Sequence, residues 1–172
     1  MFSEILQKTR NISSMIELGA NVGFNLKAIK NILPDIEFSA VEINHKAAEI
    51  LKQDKDLNVT VYEESILEFC KENVYDLVLC KGVLIHLNPD SLDNVYEKIY
   101  NASRKYILFV EYYNIVPVAI DYRGNENVLF KRDFAGEFMA KYPNVQLVDY
   151  GFKYHKDPNF PVDDLMWFLM EK

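Results

Sequence analysis

Glu17-Leu18-Gly19-Ala20-Asn21-Val22-Gly23 decides the reading of this chain. It follows the short apolar run Ser14-Met15-Ile16 and opens a helical pattern of Val22, Leu26, Ile29 and Leu33, so it reads as strand, tight turn, helix. Gly19 at the first turn position lets the backbone approach a ligand closely, and Gly23 removes a side chain where the helix packs on the strand. Such a turn suits a nucleotide-like ligand. Glu17, two positions before Gly19, repels a phosphate or pyrophosphate and attracts an ammonium or sulfonium centre, which favours S-adenosylmethionine over NAD. The dinucleotide fingerprint G-x-G-x-x-G is also not met, because the spacing here is Gly19-x-x-x-Gly23 with Asn21 in the middle. The plain alternative is a glycine turn that joins strand to helix and binds nothing.

At 172 residues and 49% hydrophobic, the chain has the size of one domain, 1–172, and can bury a full core without staples. A net charge of -7 over mixed acids and bases argues against a nucleic-acid surface, which needs a basic patch. No apolar run approaches the roughly 20 residues of a membrane span, and the first residues lack the pattern of a signal peptide, so a cytoplasmic protein is expected. Cys70 and Cys80 have no paired-cysteine motif and no histidine at ligand spacing; they read as reduced core thiols, and no metal site is expected.

Phe2, Ile5 and Leu6 stand at helical spacing and suggest a short first helix. Beyond the turn, Pro34 and Asp35 stop the helix, and Ile36 to Val41 run as a second strand ending at Glu42. In a doubly wound sheet an acid there can accept hydrogen bonds from two ribose hydroxyls, with Ile43 beside it. Asn44 is placed to cap a helix with Ala47, Ile50 and Leu51 on one face, and Leu57 to Tyr62 alternate as a third strand. Ser65 and Ile66 then fall where an adenine ring would lie, although Ser65 could equally cap a helix of Ile66, Phe69 and Cys70.

Tyr75 to Cys80 form a fourth strand that runs into Lys81-Gly82-Val83-Leu84-Ile85-His86-Leu87. Asn88, Pro89 and Asp90 make a helix start, with Leu92, Val95, Tyr96, Ile99 and Tyr100 as its buried stripe. Residues 80–87 therefore lie at the carboxyl end of the fourth strand, beside the switch point where open α/β sheets bind ligands, and Lys81 and His86 can face a reacting centre. Tyr106 to Val110 make a fifth strand leading into Glu111-Tyr112-Tyr113-Asn114. From Ile115 to Leu129 the composition predicts an irregular polar loop of about 15 residues, a lid or binding loop. A helix with Phe134, Phe138, Met139 and Tyr142 follows, and two closing strands, Val145 to Tyr154 and Leu165 to Met170, should pair as an antiparallel hairpin. Arg123, Lys131 and Arg132, clustered in an acidic chain, suit an anionic acceptor, or else salt bridges on a solvated face.

Five parallel crossover strands and a closing hairpin define an α/β, Rossmann-like fold with a seven-stranded, mostly parallel sheet and helices on both faces. The turn, Glu42, Asp76-Leu77-Val78 and the hairpin together resemble the class I S-adenosylmethionine-dependent methyltransferases over nearly the whole chain. Lys81-Gly82-Val83-Leu84-Ile85-His86-Leu87-Asn88-Pro89, Glu111-Tyr112-Tyr113-Asn114, Tyr122-Arg123-Gly124, Phe130-Lys131-Arg132-Asp133-Phe134-Ala135-Gly136-Glu137 and Asp157-Pro158-Asn159-Phe160-Pro161 resemble a narrower group, the pseudaminic acid biosynthesis-associated methylases. In that group asparagine also stands at the position of Asn21, where the general pattern has a third glycine. Relatives of the group carry an extra segment before the first strand, which implies less N-terminal cover over the cofactor here.

The resemblance implies S-adenosylmethionine as cofactor, with Glu17, Gly19, Ala20, Asn21, Gly23, Glu42, Ile43, Ser65, Ile66 and Lys81 around it. It implies methyl transfer, most simply to oxygen, onto a small anionic acceptor in a surface-sugar pathway, an acidic or nucleotide-activated sugar, in a monomer or homodimer. His86 is the first candidate base and Glu111 the second, with Tyr113, Tyr122, Arg123, Lys131 and Arg132 facing the acceptor. A carboxylate or phosphate acceptor is already ionised and needs no base. The rival readings are a non-catalytic partner that keeps the cofactor fold and an NAD-dependent oxidoreductase, which the glycine spacing and the hairpin oppose.

Overall fold

Apolar side chains alternate along the central strands, and that alternation dictates a sheet covered on both faces. Met15, Leu77, Leu79, Leu108, Val110 and Trp167 face one side. Ile16, Leu18, Val78, Cys80, Ile107 and Phe109 face the other. The structure, a computed structural model, describes residues 1–122 and 124–172, with the backbone alone for 122 and 125–128.

In chain order the elements are α1 (Phe2–Leu6), β1 (Ser14–Leu18), α2 (Phe24–Lys30), β2 (Glu37–Val41), α3 (His45–Gln53), β3 (Val59–Tyr62) and β4 (Tyr75–Lys81). They continue through a 3₁₀ turn (Leu84–His86), a second 3₁₀ turn (Pro89–Ser91), α4 (Leu92–Ala102), β5 (Ser103–Glu111), β6 (Val118–Tyr122), β7 (Asn125–Lys131), α5 (Phe134–Lys141), β8 (Gln146–Lys153) and β9 (Leu165–Glu171). The main sheet runs β3-β2-β1-β4-β5-β9-β8. β1 to β5 are parallel, and β9 lies antiparallel between β5 and β8. Crossovers carry the chain outward from β1 to β3, then back across to β4 and β5, so the direction of winding reverses between β1 and β4. That reversal puts residues of α1, α2 and α3 against one face and of α4 and α5 against the other. It also opens a crevice at the carboxyl ends of β1 and β4.

At the opposite, amino-terminal edge, one buried carboxylate fastens three strands. Asp76 Oδ2 accepts from the Ser13 amide at 2.7 Å, the Ser13 hydroxyl at 2.7 Å and the Ser14 amide at 3.2 Å. Its Oδ1 accepts from Arg104 Nε at 2.6 Å. Arg104, then the Ser13 donors, hold this carboxyl well below the usual carboxylate range against the cost of its burial.

The expected strands, the Asn44 cap and the closing hairpin are present. Four expectations change. Residues 115–129 are not an irregular loop: β6 and β7 pair as an antiparallel hairpin outside the main sheet. The short apolar runs Val118-Ala119-Ile120 and Val128-Leu129-Phe130, rich in β-branched and aromatic residues, are the strand signal that the glycine and asparagines masked. Ser65 caps no helix, only a single turn in which its hydroxyl accepts from the Leu67 amide. Cys70 is exposed while Cys80 is buried. Ile50 is turned outward, and Ala47, Ala48 and Leu51 supply the packed face of α3. Among the described residues no helix is long and apolar enough to cross a membrane.

Asp76→Ala strands two serine amides and the Arg104 guanidinium, and should cost about 3 kcal/mol at pH 7 in urea denaturation. A carboxyl held below its ordinary 3.8 contributes stability above that pH and loses it as pH falls toward its lowered folded value, so the gap between wild type and variant should narrow in acid. An unchanged urea midpoint at pH 7 would remove this staple from the account.

Candidate functional site

The β1–α2 turn is bent by three residues at positive φ: Gly19 at 74°, Asn21 at 50° and Gly23 at 80°. Asparagine tolerates that region better than other side-chain-bearing residues, which accounts for Asn21 where a glycine would otherwise be needed. The Gly19 and Ala20 amides donate to the Val41 carbonyl at 2.8 and 3.1 Å, tying the turn to the end of β2. A Cβ on Gly19 would stand 2.5 Å from Val83 Cγ2, and one on Gly23 would stand 2.5 Å from Leu51 Cδ2. Both glycines are therefore demanded by close packing as well as by conformation.

Glu42 closes the arrangement. Its Oε2 accepts from the Asn21 amide at 2.7 Å and its Oε1 from the Asn44 amide at 2.7 Å, so one carboxylate holds both the turn and the start of α3. Asn44 Oδ1 in turn accepts from the Ala47 amide at 3.2 Å. Between these elements and residues 82–87 lies a cleft of about 550 Å³, walled by Gly19, Asn21, Glu42, Asn44, Ala47, Ile50, Gly82, Val83 and His86 among others. That volume is within the range of small-molecule and cofactor sites. A Cβ on Gly82 would meet nothing within 4 Å, so its absence leaves the floor of the cleft open.

Two buried carboxyls flank the cleft. Glu17 accepts from Asn25 Nδ2 at 2.6 Å on Oε1, while Oε2 has no hydrogen-bond partner among the described residues. Burial pushes its pKa up to about 8, against Asn25 and Lys81, with Glu42 adding to the rise. Glu111 Oε1 accepts from the Val83 and Leu84 amides at 2.9 and 3.0 Å, and its Oε2 is likewise unpartnered. Burial pushes it up to about 7, opposed by the backbone donors of Val83, Leu84 and Ile85 and by Lys81. Burial and these two acids together push the Cys80 thiol well up.

The structure brings Gly19, Asn21, Glu42 and His86 onto one cleft wall. Glu17 and Ala20 are buried, and Gly23 is packed against Leu51 and Leu57. Ile43 is 71% exposed. Ile66 joins the core on the α4–α5 side, and neither it nor Ser65 lines the cleft. Lys81 ends β4, near enough to both buried acids to lower their pKa values. Glu111 does not present its carboxyl to the cleft; it anchors the loop behind it. Tyr113 lies against Phe168 with centroids 6.0 Å apart, and Lys131 sits 4.7 Å over the Tyr112 ring. Arg132 pairs with Glu137 at 2.6 Å, and the Tyr96 hydroxyl donates to the same carboxylate at 2.9 Å. Tyr122 ends β6, and Arg123 lies outside the described residues.

Sequence reasoning missed Ala47, Ile50, Gly82 and Val83 as wall residues. A glycine directly after β4 was the available signal, whereas the helical spacing put Ile50 on the packed face of α3. His45, Glu49 and Glu63 bring ligand atoms within 4.8 Å of one another, but Lys52 bridges Glu49 and Glu63 and answers their charge.

No family model and no curated protein matches the sequence. Solved structures do match. A 1,6-didemethyltoxoflavin-N1-methyltransferase of Burkholderia thailandensis, with bound 1,6-didemethyltoxoflavin and S-adenosylhomocysteine, is 12% identical with a TM-score of 0.76, covering 99% of this chain and 75% of that one. The O-methyltransferase of a Brevibacillus brevis trans-AT polyketide synthase, in complex with S-adenosyl-L-homocysteine, is 12% identical with a TM-score of 0.75, covering 99% and 71%. An S-adenosylmethionine-dependent methyltransferase of Mesorhizobium loti is 7% identical with a TM-score of 0.72, covering 99% and 97%. The chain has the Rossmann-like fold of class I methyltransferases.

A carboxyl whose folded pKa is raised stabilises the fold below its unfolded value, 4.5 for glutamate, and that contribution is lost as pH rises through the folded value. The ligand-free protein should therefore lose stability from about pH 5 to above pH 8. Glu17→Gln should flatten that decline in scanning calorimetry, and an unaltered slope would show that Glu17 is not the buried acid responsible.

Proposed function

We propose that this chain, residues 1–172 acting as one domain, is a cytoplasmic S-adenosylmethionine-dependent methyltransferase. The observation that carries the reading is Glu42: a carboxylate at the end of β2, held by two backbone amides, on the wall of a cleft at the switch point. Each oxygen keeps a lone pair for a ribose hydroxyl. S-adenosylhomocysteine is bound in structures of two proteins with this fold, one an O- and one an N-methyltransferase. S-adenosylmethionine, when bound, supplies a methyl group on a sulfonium that is already activated.

What remains for the chain is binding and alignment. Gly19 and Gly82 allow close approach of the ligand to the backbone, and Glu17, buried behind the β1–α2 turn with an unpartnered Oε2, would ionise as a cationic amino-acid end is brought against the turn. Glu111 positions residues 83–85 through their amides. At the mouth a ring nitrogen of His86 can take the proton of a hydroxyl acceptor. We read the acceptor as a small anionic sugar of the nonulosonic or nucleotide-activated type, methylated on oxygen. The support is the resemblance of residues 81–89, 111–114, 130–137 and 157–161 to the pseudaminic acid biosynthesis-associated methylases, together with Lys131 at the end of β7; Arg132 is paired with Glu137 and adds no free charge.

Transfer of isotope-labelled methyl groups to a panel of acidic and nucleotide-activated sugars tests this reading. Labelled product is expected from the wild type, with Glu42→Ala reducing kcat/KM by about 100-fold or more through loss of cofactor affinity. His86→Ala should fall by about 100-fold for a hydroxyl acceptor and stay near wild type for a carboxylate. Undiminished turnover in Glu42→Ala would refute the placement of the nucleoside.

A further inference from the structure

β5, β9 and β8 bring a row of rings to the sheet face that also carries α4 and α5. In the register Phe109 stands opposite Phe168, and Phe168 opposite Tyr150. Residues that oppose one another across strands share a face, so the rings follow each other outward from the core. Phe109 is buried, Phe168 is half-buried and Tyr150 is 59% exposed. Phe168 and Tyr150 lie with centroids 6.3 Å apart and planes 17° apart, and Tyr113, from the segment after β5, leans on Phe168 at 6.0 Å. The inner end of this row is not solid. A cavity of about 10 Å³ lies there, walled by the rings of Phe109, Tyr113, Phe134 and Phe168 and by Glu111 and Arg132, among others.

That space is on the scale of a single hydroxyl or water oxygen. Its polar wall is short of a donor. Glu111 gives Oε1 to the amides of Val83 and Leu84, while its Oε2 is buried with no partner among the described residues. An unpaired buried carboxyl oxygen costs free energy that an incoming hydroxyl would recover. Arg132 does not answer it, being engaged by Glu137 at 2.6 Å. Beside the cavity Lys131 sits 4.7 Å over the ring of Tyr112, another wall residue, and makes no ion pair among the described residues. Asp164, which feels the charge of Lys131, is itself held by His155 at 2.8 Å.

We infer that this cavity and the rings beside it form a recognition subsite for an acidic pyranose acceptor. One ring hydroxyl enters the cavity and donates to Glu111 Oε2, an apolar C–H face of the sugar lies on Tyr113, Phe168 and Tyr150, and the anionic substituent stays outside, toward Lys131. The chemistry of the walls selects this class. A purely apolar chain would cover the rings and leave the Glu111 oxygen unpaired. A carboxylate or phosphate in the cavity would meet a carboxyl and be repelled, so the charge of the ligand belongs at its rim. A hydroxylated ring with an apolar face meets both demands. The subsite rests on the acceptor reading above and adds to it a place for the sugar ring. Glu111 joins the two, because Val83, whose amide it holds, also walls the cofactor cleft.

Saturation-transfer NMR on the full chain, with methyl β-glucuronide as the probe, tests the subsite without turnover. The strongest saturation is expected at the axial protons of one ring face. Among singly deoxygenated analogues, one should bind about tenfold more weakly and the others nearly as the parent does. Tyr150→Ala, at an exposed position, should weaken binding about fivefold with an unchanged circular dichroism spectrum. Lys131→Gln should weaken the glucuronide about threefold and leave methyl β-glucoside unaffected. No saturation of the glucuronide overturns the inference. A deoxy series without one sensitive hydroxyl, which would mean that the cavity holds only water, overturns it equally, as does tighter binding of para-hydroxybenzoate, which has the donor and the charge but no saturated ring. S-adenosylhomocysteine titrated into the same sample keeps the two readings apart: its binding without that of the sugar removes the subsite alone.

Discussion

The carboxylate of Glu42 is the constraint on which the cleft depends. Two backbone amides, those of Asn21 and Asn44, belong to elements that approach each other only at the carboxyl edge of the sheet, and both end on its two oxygens. The bonds from the Gly19 and Ala20 amides to the Val41 carbonyl tie the turn to the end of β2, and Glu42 extends that tie to the start of α3. The positive φ of Asn21 becomes sustainable because its amide is held where the bend requires it.

The two edges of the sheet treat their buried acids in opposite ways. At the amino-terminal edge Asp76 is saturated by Ser13, Ser14 and Arg104, so it stays ionised and serves stability. At the carboxyl edge Glu17 and Glu111 each keep an oxygen without a partner and are pushed upward by burial. An isolated fold gains nothing from such groups; a site that receives a cationic ligand or holds a loop in place does.

Much of this was legible in the sequence where local chemistry and tertiary position agree. The glycines of the β1 turn, the acid ending β2, the Asn44 cap and the Asn88-Pro89 helix start all follow from residues close in the chain. The β6–β7 hairpin was not legible, because its two apolar runs are only three residues long and are separated by glycine, asparagines and charges that read equally as a loop. Glu111 was readable as a chemically important acid at the end of β5, but not as the anchor of residues 83 and 84, since that bond spans the loop and α4. Ser65 and Ile66 show the converse: a position inferred from where adenine should lie gave no cleft wall, because burial of Ile66 in the α4–α5 core won over exposure.

The central claim is that the Glu42 cleft takes an adenosyl cofactor. Isothermal titration of the purified, folded chain with S-adenosylhomocysteine tests it most directly, with NADH titrated in parallel. The account predicts saturable binding of S-adenosylhomocysteine at one site per chain and no heat from NADH. Binding of NADH alone, or no binding of S-adenosylhomocysteine to protein shown by circular dichroism to be folded, would contradict it.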